Sequence, residues 1–447
     1  MRTLAVQFLE EGQTLQRKKV ELNRKTISAP FFCENVSSAE DLNILCEMGG
    51  YSTTENDTLN LLGAAVYNIF NYQEVTSSWR SMLNQTTLNG KMAGAQFRHM
   101  DANKFKLIDP NIELFGISFK QPIYKYMRLR PPKILFDHMK KLILKDAKSD
   151  ELHEQFWNNM FPEEGIERAD AGSLINWSNK QEEKFGSDLY IPTVPFLTGR
   201  NCNALVDKAI SMNTMAADIV DRDVATYFSL SADVFENRKV IQDVLNCIGE
   251  SKNKVGIIKF TDPQNFVNIS FSEHAQNNLS LFLKTLKLQN QNRENPMMMG
   301  TLAGGAFGYC LLGAGFDFFT DTVNNYQQYP MPTKGQKALY RKCFNDRRLV
   351  LESFAGIRSK FLEEGQDPMP YLPMQRGRYT REQLEKNQID AAEWSRNCRF
   401  NGIGMWNEFT KELAEAIRTR TDSLFLDKIQ RSAYAMLYTV INDVRNF

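Results

Sequence analysis

MMMGTLAGGAFGYCLLGAGFDFFTDTV, residues 297–323, sets an apolar run, a double glycine, a short apolar helix, a second apolar run and two aspartates in close succession. Compact apolar runs joined by a short helix describe strand, helix and strand of a parallel sheet buried on both faces. The same alternation extends upstream. LYIPTVPFL (189–197), ATYFSLSA (225–232), KVGIIKF (254–260), PMMMGTL (296–302) and FDFFT (316–320) read as strands. Between them lie amphipathic stretches such as ALVDKAISMNTMAADIV, NRKVIQDVLNCIG and AQNNLSLFLKTLKL, which have helical spacing. Near the N-terminus LAVQFLEE and KKVELNRK form a hairpin, and APFFCENV (29–36), YSTTEN (51–56) and NGKMAGAQF (89–97) add three strands, the first followed by a helix capped at Ser37 or Ser38. Three strands before residue 100 and five after residue 188 give the fold class: α/β, a (β/α)8 barrel, with a doubly wound open sheet as the competitor.

The remaining segments hang on this frame. FKLI and IELFGISF around a DPN turn predict a small antiparallel insertion, and KILFDHMKKLILKDA has helical spacing at Leu135, Met139, Leu142 and Ile143, with helices continuing to about residue 185. Beyond residue 330 the strands are expected to stop. The division is therefore a barrel over 1–330 and a helical, basic extension over 331–447, in a chain of 447 residues that exceeds the usual size of one domain.

Composition narrows the class. With 42% hydrophobic and 24% charged residues the chain is an ordinary globular protein. No run approaches the roughly 20 apolar residues of a spanning helix, and MRTLAVQFLEEGQ turns acidic too early for a signal peptide. We expect a cytoplasmic protein with no membrane partner. The seven cysteines are scattered without a CxxC pair and the four histidines are isolated, so neither a disulfide framework, a metal site nor a cofactor is expected. The net charge is only +1, yet residues 331–381 hold eleven Lys and Arg against five Asp and Glu. Such a segment suits an anionic partner.

In a barrel, chemistry gathers where strands end and βα loops begin. Asp317 and Asp321 then lie at or near the rim, as nucleophile or base, or as helix caps. Gly304 and Gly305 either admit a ligand close to the backbone, with helix amides holding an anion, or serve a tight turn. Further rim candidates are Glu34 and Asn35, Glu55, Asn56 and Asp57, Gln96, Asp233, Lys259 and Asp262. For nucleic acid, IYKYMRLRPPK (123–133) interleaves Tyr124 and Tyr126 with Lys125, Arg128, Arg130 and Lys133. Arg341, Arg347 and Arg348 in KALYRKCFNDRR, and Arg376 and Arg378 in QRGRYTR, repeat the style. Cations hold phosphates while aromatic rings stack on unpaired bases; the plainer alternative is a solvated basic face.

The order of segments resembles the tRNA-guanine transglycosylase superfamily, including paralogues that place 7-deazaguanine bases in DNA. VELNRKTISAPFFCENVSS has the layout of the family's opening hairpin and first strand, with Ala29, Pro30 and Phe32 in place. TENDTLNLL supplies Asn56 and Leu59 of the second-strand motif, AGAQF supplies Gly94, Ala95 and Gln96 of the third, and MMMGTLAGG…LLGAGFDFFTDTV is similar to the family's closing motif. The resemblance covers residues 1 to about 325. It implies a nucleophilic aspartate that attacks C1′ and displaces guanine, a role that falls on Asp321 with Asp317 as rival because Thr320 is one residue extra. It implies DNA, less so tRNA, as substrate, a 7-deazaguanine base, and partner proteins of a modification system. The chain departs from the pattern in three places: Lys91 and Met92 stand where the third strand carries an aspartate, PTVPFLTGR has no aspartate to read guanine, and the Cys-x-Cys-x-x-Cys zinc motif is missing. A divergent member with another general base, Asp57 or Asp233, therefore competes with a non-catalytic nucleic-acid-binding barrel and with an unrelated small-molecule barrel enzyme.

Overall fold

The computed structural model describes residues 2–7, 17–22, 25–35, 65–68, 107–109, 130–144, 149–161, 169–184, 187–261, 272–302, 304–321, 342–345, 350–353, 429–432 and 434–445. Strands β1 (Arg2–Gln7), β2 (Arg17–Leu22) and β3 (Lys25–Ala29) form an antiparallel sheet, the expected hairpin with a third strand added. Pro30 then separates β3 from β4 (Phe31–Asn35), the first strand of the main sheet.

That sheet contains β4, β5 (Ala65–Asn68), β6 (Leu107–Asp109), β7 (Phe196–Leu197), β8 (Ala225–Ser231), β9 (Val255–Thr261), β10 (Met298–Thr301) and β11 (Phe318–Asp321). Its order is β6-β5-β4-β11-β10-β9-β8-β7 and every pairing is parallel. The protein is thus α/β. Its first strand pairs with its last, which is not the order of a doubly wound sheet, where the first strand lies beside a middle one. The edges are β6 and β7, and no pairing between them is among the described residues.

Two strands of the sheet come from segments that the sequence does not mark as its second and third strands. The strand beside β4 is Ala65–Asn68, in register at Glu34–Ala65 and Asn35–Val66. The next is Leu107–Asp109, parallel to β5, although its FKLI run reads as part of an antiparallel insertion. Alternation of side chains cannot tell a parallel from an antiparallel neighbour. Residues 51–56 and 89–97 lie outside the described residues. The fourth strand shrinks to Phe196–Leu197 plus a bridge from Tyr190 to Val224, because Pro192 and Pro195 lack the N–H a ladder needs. Strands do not stop at 330 either: β12 (Lys342–Asn345) and β13 (Val350–Ser353) pair antiparallel.

The helices fall where periodicity predicts: α1 (Lys133–Leu144), α2 (Ser149–Met160), α3 (Ala169–Lys184), α4 (Cys202–Ile219), α5 (Arg238–Glu250), α6 (Glu273–Gln291), α7 (Gly305–Gly313) and, near the C-terminus, α8 (Met436–Arg445). Asn237 caps α5 by accepting from the Val240 N–H, and Ser272 caps α6 by accepting from the Ala275 N–H at 3.0 Å. Leu135, Met139 and Leu142 are buried. On the helix side of the sheet, Phe260 meets Phe307 of α7 edge-on at 5.2 Å, and Phe235 meets Phe282 of α6 at 5.5 Å. Such pairs add about 0.5–1.5 kcal/mol beyond burial. Tyr434 reaches the same cluster, 5.5 Å from Phe307, and α8 packs on α6.

Two polar devices secure the short β7. Opposite Tyr227 the two-residue strand leaves the edge of β8 open, and Asn213 of α4 fills it: its amide donates to Tyr227 O at 2.9 Å and accepts from Tyr227 N at 2.8 Å. Below it, fully buried Glu182 accepts from the Ile191 N–H at 3.1 Å and lies 3.5 Å from the Arg222 guanidinium. Arg222 also donates to Asn179 and to Ser187 O, and the Tyr190 hydroxyl meets Ser178 at 2.6 Å. Burial pushes the Tyr190 phenol up, with the Glu182 charge adding to it.

Asn213→Leu orphans both Tyr227 backbone groups and is expected to cost about 2–5 kcal/mol, read as a lower urea midpoint at unchanged slope. A pH effect arises at His153 of α2. Burial, with His138 nearby, lowers its pKa to about 3, while the Phe196 backbone favours the proton slightly. The folded protein therefore holds His153 neutral. Its contribution is complete above pH ~6.5 and declines as pH falls from ~6.5 toward 3, because the unfolded chain takes up the proton first. In His153→Leu, the stability difference between pH 7 and pH 5 in urea titrations should shrink.

Candidate active site at the carboxyl ends of the parallel strands

The opening segment resolves into β10, a glycine turn, α7 and β11. The Gly304 N–H donates to Thr320 O at 3.0 Å, pinning the turn to the end of β11. A Cβ on Gly304 would lie 2.8 Å from Gly308 Cα and 3.0 Å from Thr301 Cγ2, and Gly305 has φ +53°. Close backbone packing thus accounts for Gly304 and the left-handed backbone for Gly305, and both are buried.

The two aspartates are parted by the length of the strand. Asp317 precedes β11, at its amino end. It is 4% exposed; its N–H donates to Met299 O and its Oδ2 accepts from the Met299 N–H, both at 2.7 Å. This clamp joins β11 to β10. Asp321 ends the strand, in register with Glu34. The register runs unbroken from Phe318–Phe31 to Asp321–Glu34, so positions 318 and 320 share one face of the sheet and 319 and 321 the other. Phe319 lies against Gly308 of α7.

The face turned away from α7 changes character along the strands. In β8 and β9 the in-register pairs are Ala225–Val255, Tyr227–Ile257, Ser229–Lys259 and Ser231–Thr261. The amino half is mainly apolar and the carboxyl half polar. Lys259 and Ser229 are completely buried, and Ser231, Thr261 and Thr320 nearly so. Asp233, in the turn after β8, is exposed; its carboxylate accepts from the Ser231 hydroxyl and lies where a side chain on Gly199 would go, 2.9 Å from that Cβ position. Asp233, Ser231, Lys259 and Thr261 therefore collect at one end of adjacent strands. Asn35, Asn68 and Asp109 end β4, β5 and β6 at the same end. Asn68 and Asp109 are paired in register, and neither stood out in the sequence because their strands lie later than expected.

Asn56, Asp57, Gln96, Lys125, Arg128, Arg341, Arg347, Arg348, Arg376 and Arg378, with Glu55 and Asp262, lie outside the described residues. Arg130 is exposed, with φ +54°, just ahead of Pro131. Cys202 at the start of α4 is buried; desolvation is the main cause raising its pKa, and the Asp233 charge adds to it. Burial likewise pushes Cys247 up to about 11 and raises Cys310. These thiols stay protonated. Among the described residues no helix is long and apolar enough to cross a membrane, and no three His, Cys, Asp or Glu gather in a way that could hold a metal ion.

If Asp317 serves the β10–β11 junction, Asp317→Ala should cost about 1–3 kcal/mol in urea unfolding, and Asp317→Asn, which keeps an acceptor for the Met299 N–H, should cost less.

No protein-family model matches the chain, and no curated protein does.

Proposed function

We propose that the chain is a closed (β/α)8 barrel that exchanges a base in nucleic acid, in DNA rather than tRNA, replacing guanine with a 7-deazaguanine. The observation that carries this reading is the pairing of the first parallel strand with the eighth, which sets Asp321 and Glu34 side by side at the end where Lys259, Ser231 and Asp233 also lie. Strand ends on that side are where barrel enzymes keep their chemistry. Position 321 is the last of its strand and so belongs to the rim, although the register gives it the face of Phe319 and not that of Lys259.

In the proposed reaction an Asp321 oxygen bonds to C1′ as the C1′–N9 bond breaks. Guanine departs with its electron pair and takes a proton from a water molecule, leaving hydroxide. The incoming base gives up a proton to the Asp233 carboxylate acting as general base, its nitrogen bonds to C1′ as the C1′–Asp321 bond breaks and frees the Asp321 carboxylate, and the proton on Asp233 neutralises the hydroxide. Extracting the target base costs a few kcal/mol, which contacts to the polymer offset. The basic segment over 331–381 supplies charge for such contacts.

Denaturing electrophoresis of the full chain with guanine-containing DNA or tRNA tests the reading. A covalent adduct is expected with one polymer, chased by added 7-deazaguanine and lost in Asp321→Asn. An adduct that survives Asp321→Asn would move the nucleophile elsewhere, Asp109 being the next carboxylate on a strand end. Salt-sensitive binding with no adduct in the wild type would favour a non-catalytic nucleic-acid-binding barrel.

A further inference from the structure

Helices α1 and α2 enclose a cleft of about 200 Å³ that no strand-end residue lines. The buried part of its lining is apolar and aromatic: Leu152, Phe156 and the half-buried Ile134. His138 stacks on Phe156 with ring centroids 4.5 Å apart, so the two helices are tied together at the floor. The rim is polar. Asp137 and Lys141 stand one turn apart on α1, and the exposed Gln155 and Asn159 stand one turn apart on α2. An acid followed four residues later by a base is the order in which a helix commonly forms an ion pair. Among the described residues, however, neither Asp137 nor Lys141 has an ion-pair or hydrogen-bond partner. The adjacent Lys140 is engaged, its ammonium 4.6 Å from the centre of the Phe136 ring. Two opposite charges thus face one small cleft without being spent on each other.

We infer that this cleft binds a small zwitterion, an α-amino acid with an apolar side chain, its carboxylate on Lys141, its ammonium on Asp137 and its side chain on the floor. Size sets the first limit. Pockets for drug-sized ligands run roughly 300–1,000 Å³, and this cleft is smaller, so its occupant is a small metabolite. Charge sets the second. An anion would meet Lys141 but bring its charge beside the Asp137 carboxylate, and a cation would meet the reverse conflict. A molecule carrying both charges satisfies both side chains. Cβ atoms one helical turn apart are about 5–6 Å from each other, and the ammonium and carboxylate of an amino acid flank a single carbon, so both groups come within reach together. The amides of Gln155 and Asn159 offer donors and acceptors alike, which suits either end of the ligand. The floor selects the side chain: against Leu152, Phe156 and Ile134 a polar one would lose its water without a partner. Because the lining comes from α1 and α2 alone, the site stands apart from the base-exchange reading.

The test is calorimetric titration of phenylalanine, leucine and glycine into the full chain, beside hydrocinnamate, which lacks the ammonium, and phenethylamine, which lacks the carboxylate. Phenylalanine and leucine should bind. Glycine and the two singly charged analogues should bind at least tenfold more weakly than phenylalanine. Lys141→Met should weaken phenylalanine tenfold or more without weakening phenethylamine, and Asp137→Asn should weaken phenylalanine likewise without weakening hydrocinnamate. Both side chains reach solvent, so both variants are expected to keep the wild-type circular dichroism melt. Absence of binding by phenylalanine and leucine overturns the inference without any variant, and so does equal binding of phenylalanine and its two analogues. Wild-type affinity for phenylalanine in the two folded variants also overturns it, because the amino acid then binds elsewhere.

Discussion

The contact on which the rest of the molecule depends is the pairing of β4 with β11. Four in-register pairs, Phe318–Phe31 to Asp321–Glu34, join strands lying at opposite ends of the eight-strand run. Bringing such distant segments together carries a loop-closure cost that grows only slowly with length but must be met before any contact rewards it. Local consolidation reduces the cost. The β8–β9 ladder runs through seven pairs with α5 between its strands, and the β10–α7–β11 unit is held by the Asp317 clamp and the Gly304–Thr320 bond. These compact pieces give β4 a formed edge to join. Asp321 and Glu34 become neighbours only through that joining.

Weakness elsewhere in the sheet is compensated by side chains. The prolines that shorten β7 expose backbone groups which in a longer strand would pair, and the interior cannot leave them unpaired. Asn213 imitates a strand with one amide, and Glu182 with Arg222 ties the segment before β7 to α3 and to the turn before β8. Buried polar groups here stand in for a missing ladder, which explains an asparagine and a glutamate inside an otherwise apolar layer.

The same logic explains how far residues alone disclosed the architecture. Strands β8 to β11 and the helices between them were legible because each strand is a continuous apolar run, or nearly so, and each helix shows an apolar stripe. Strands β5 and β6 were not recognised as members of the main sheet: Ala65–Asn68 is four residues inside the longer apolar stretch LLGAAVYNIF, with no punctuation to set its bounds, and Leu107–Asp109 is followed by a proline turn that reads as a hairpin. Asn68 and Asp109 were missed with them. At the site, the paired aspartates looked equivalent, and only the register separated a carboxylate that clamps β10 from one at the strand end. Lys259 stood out in the sequence as a polar residue near a strand end, whereas its complete burial beside Ser229 required the fold.

Tyr434 and α8 have a consequence for biosynthesis. Phe307 and its aromatic neighbours are translated about 130 residues before the tyrosine that meets them, roughly 6–25 s at ordinary elongation rates of 5–20 residues per second. During that interval the outer surface of α6 and α7 emerges without its final cover. An apolar surface left open for seconds on a translating ribosome is what chaperones recognise, so the last helix acts as a late seal, and the nascent chain depends on being shielded until it arrives.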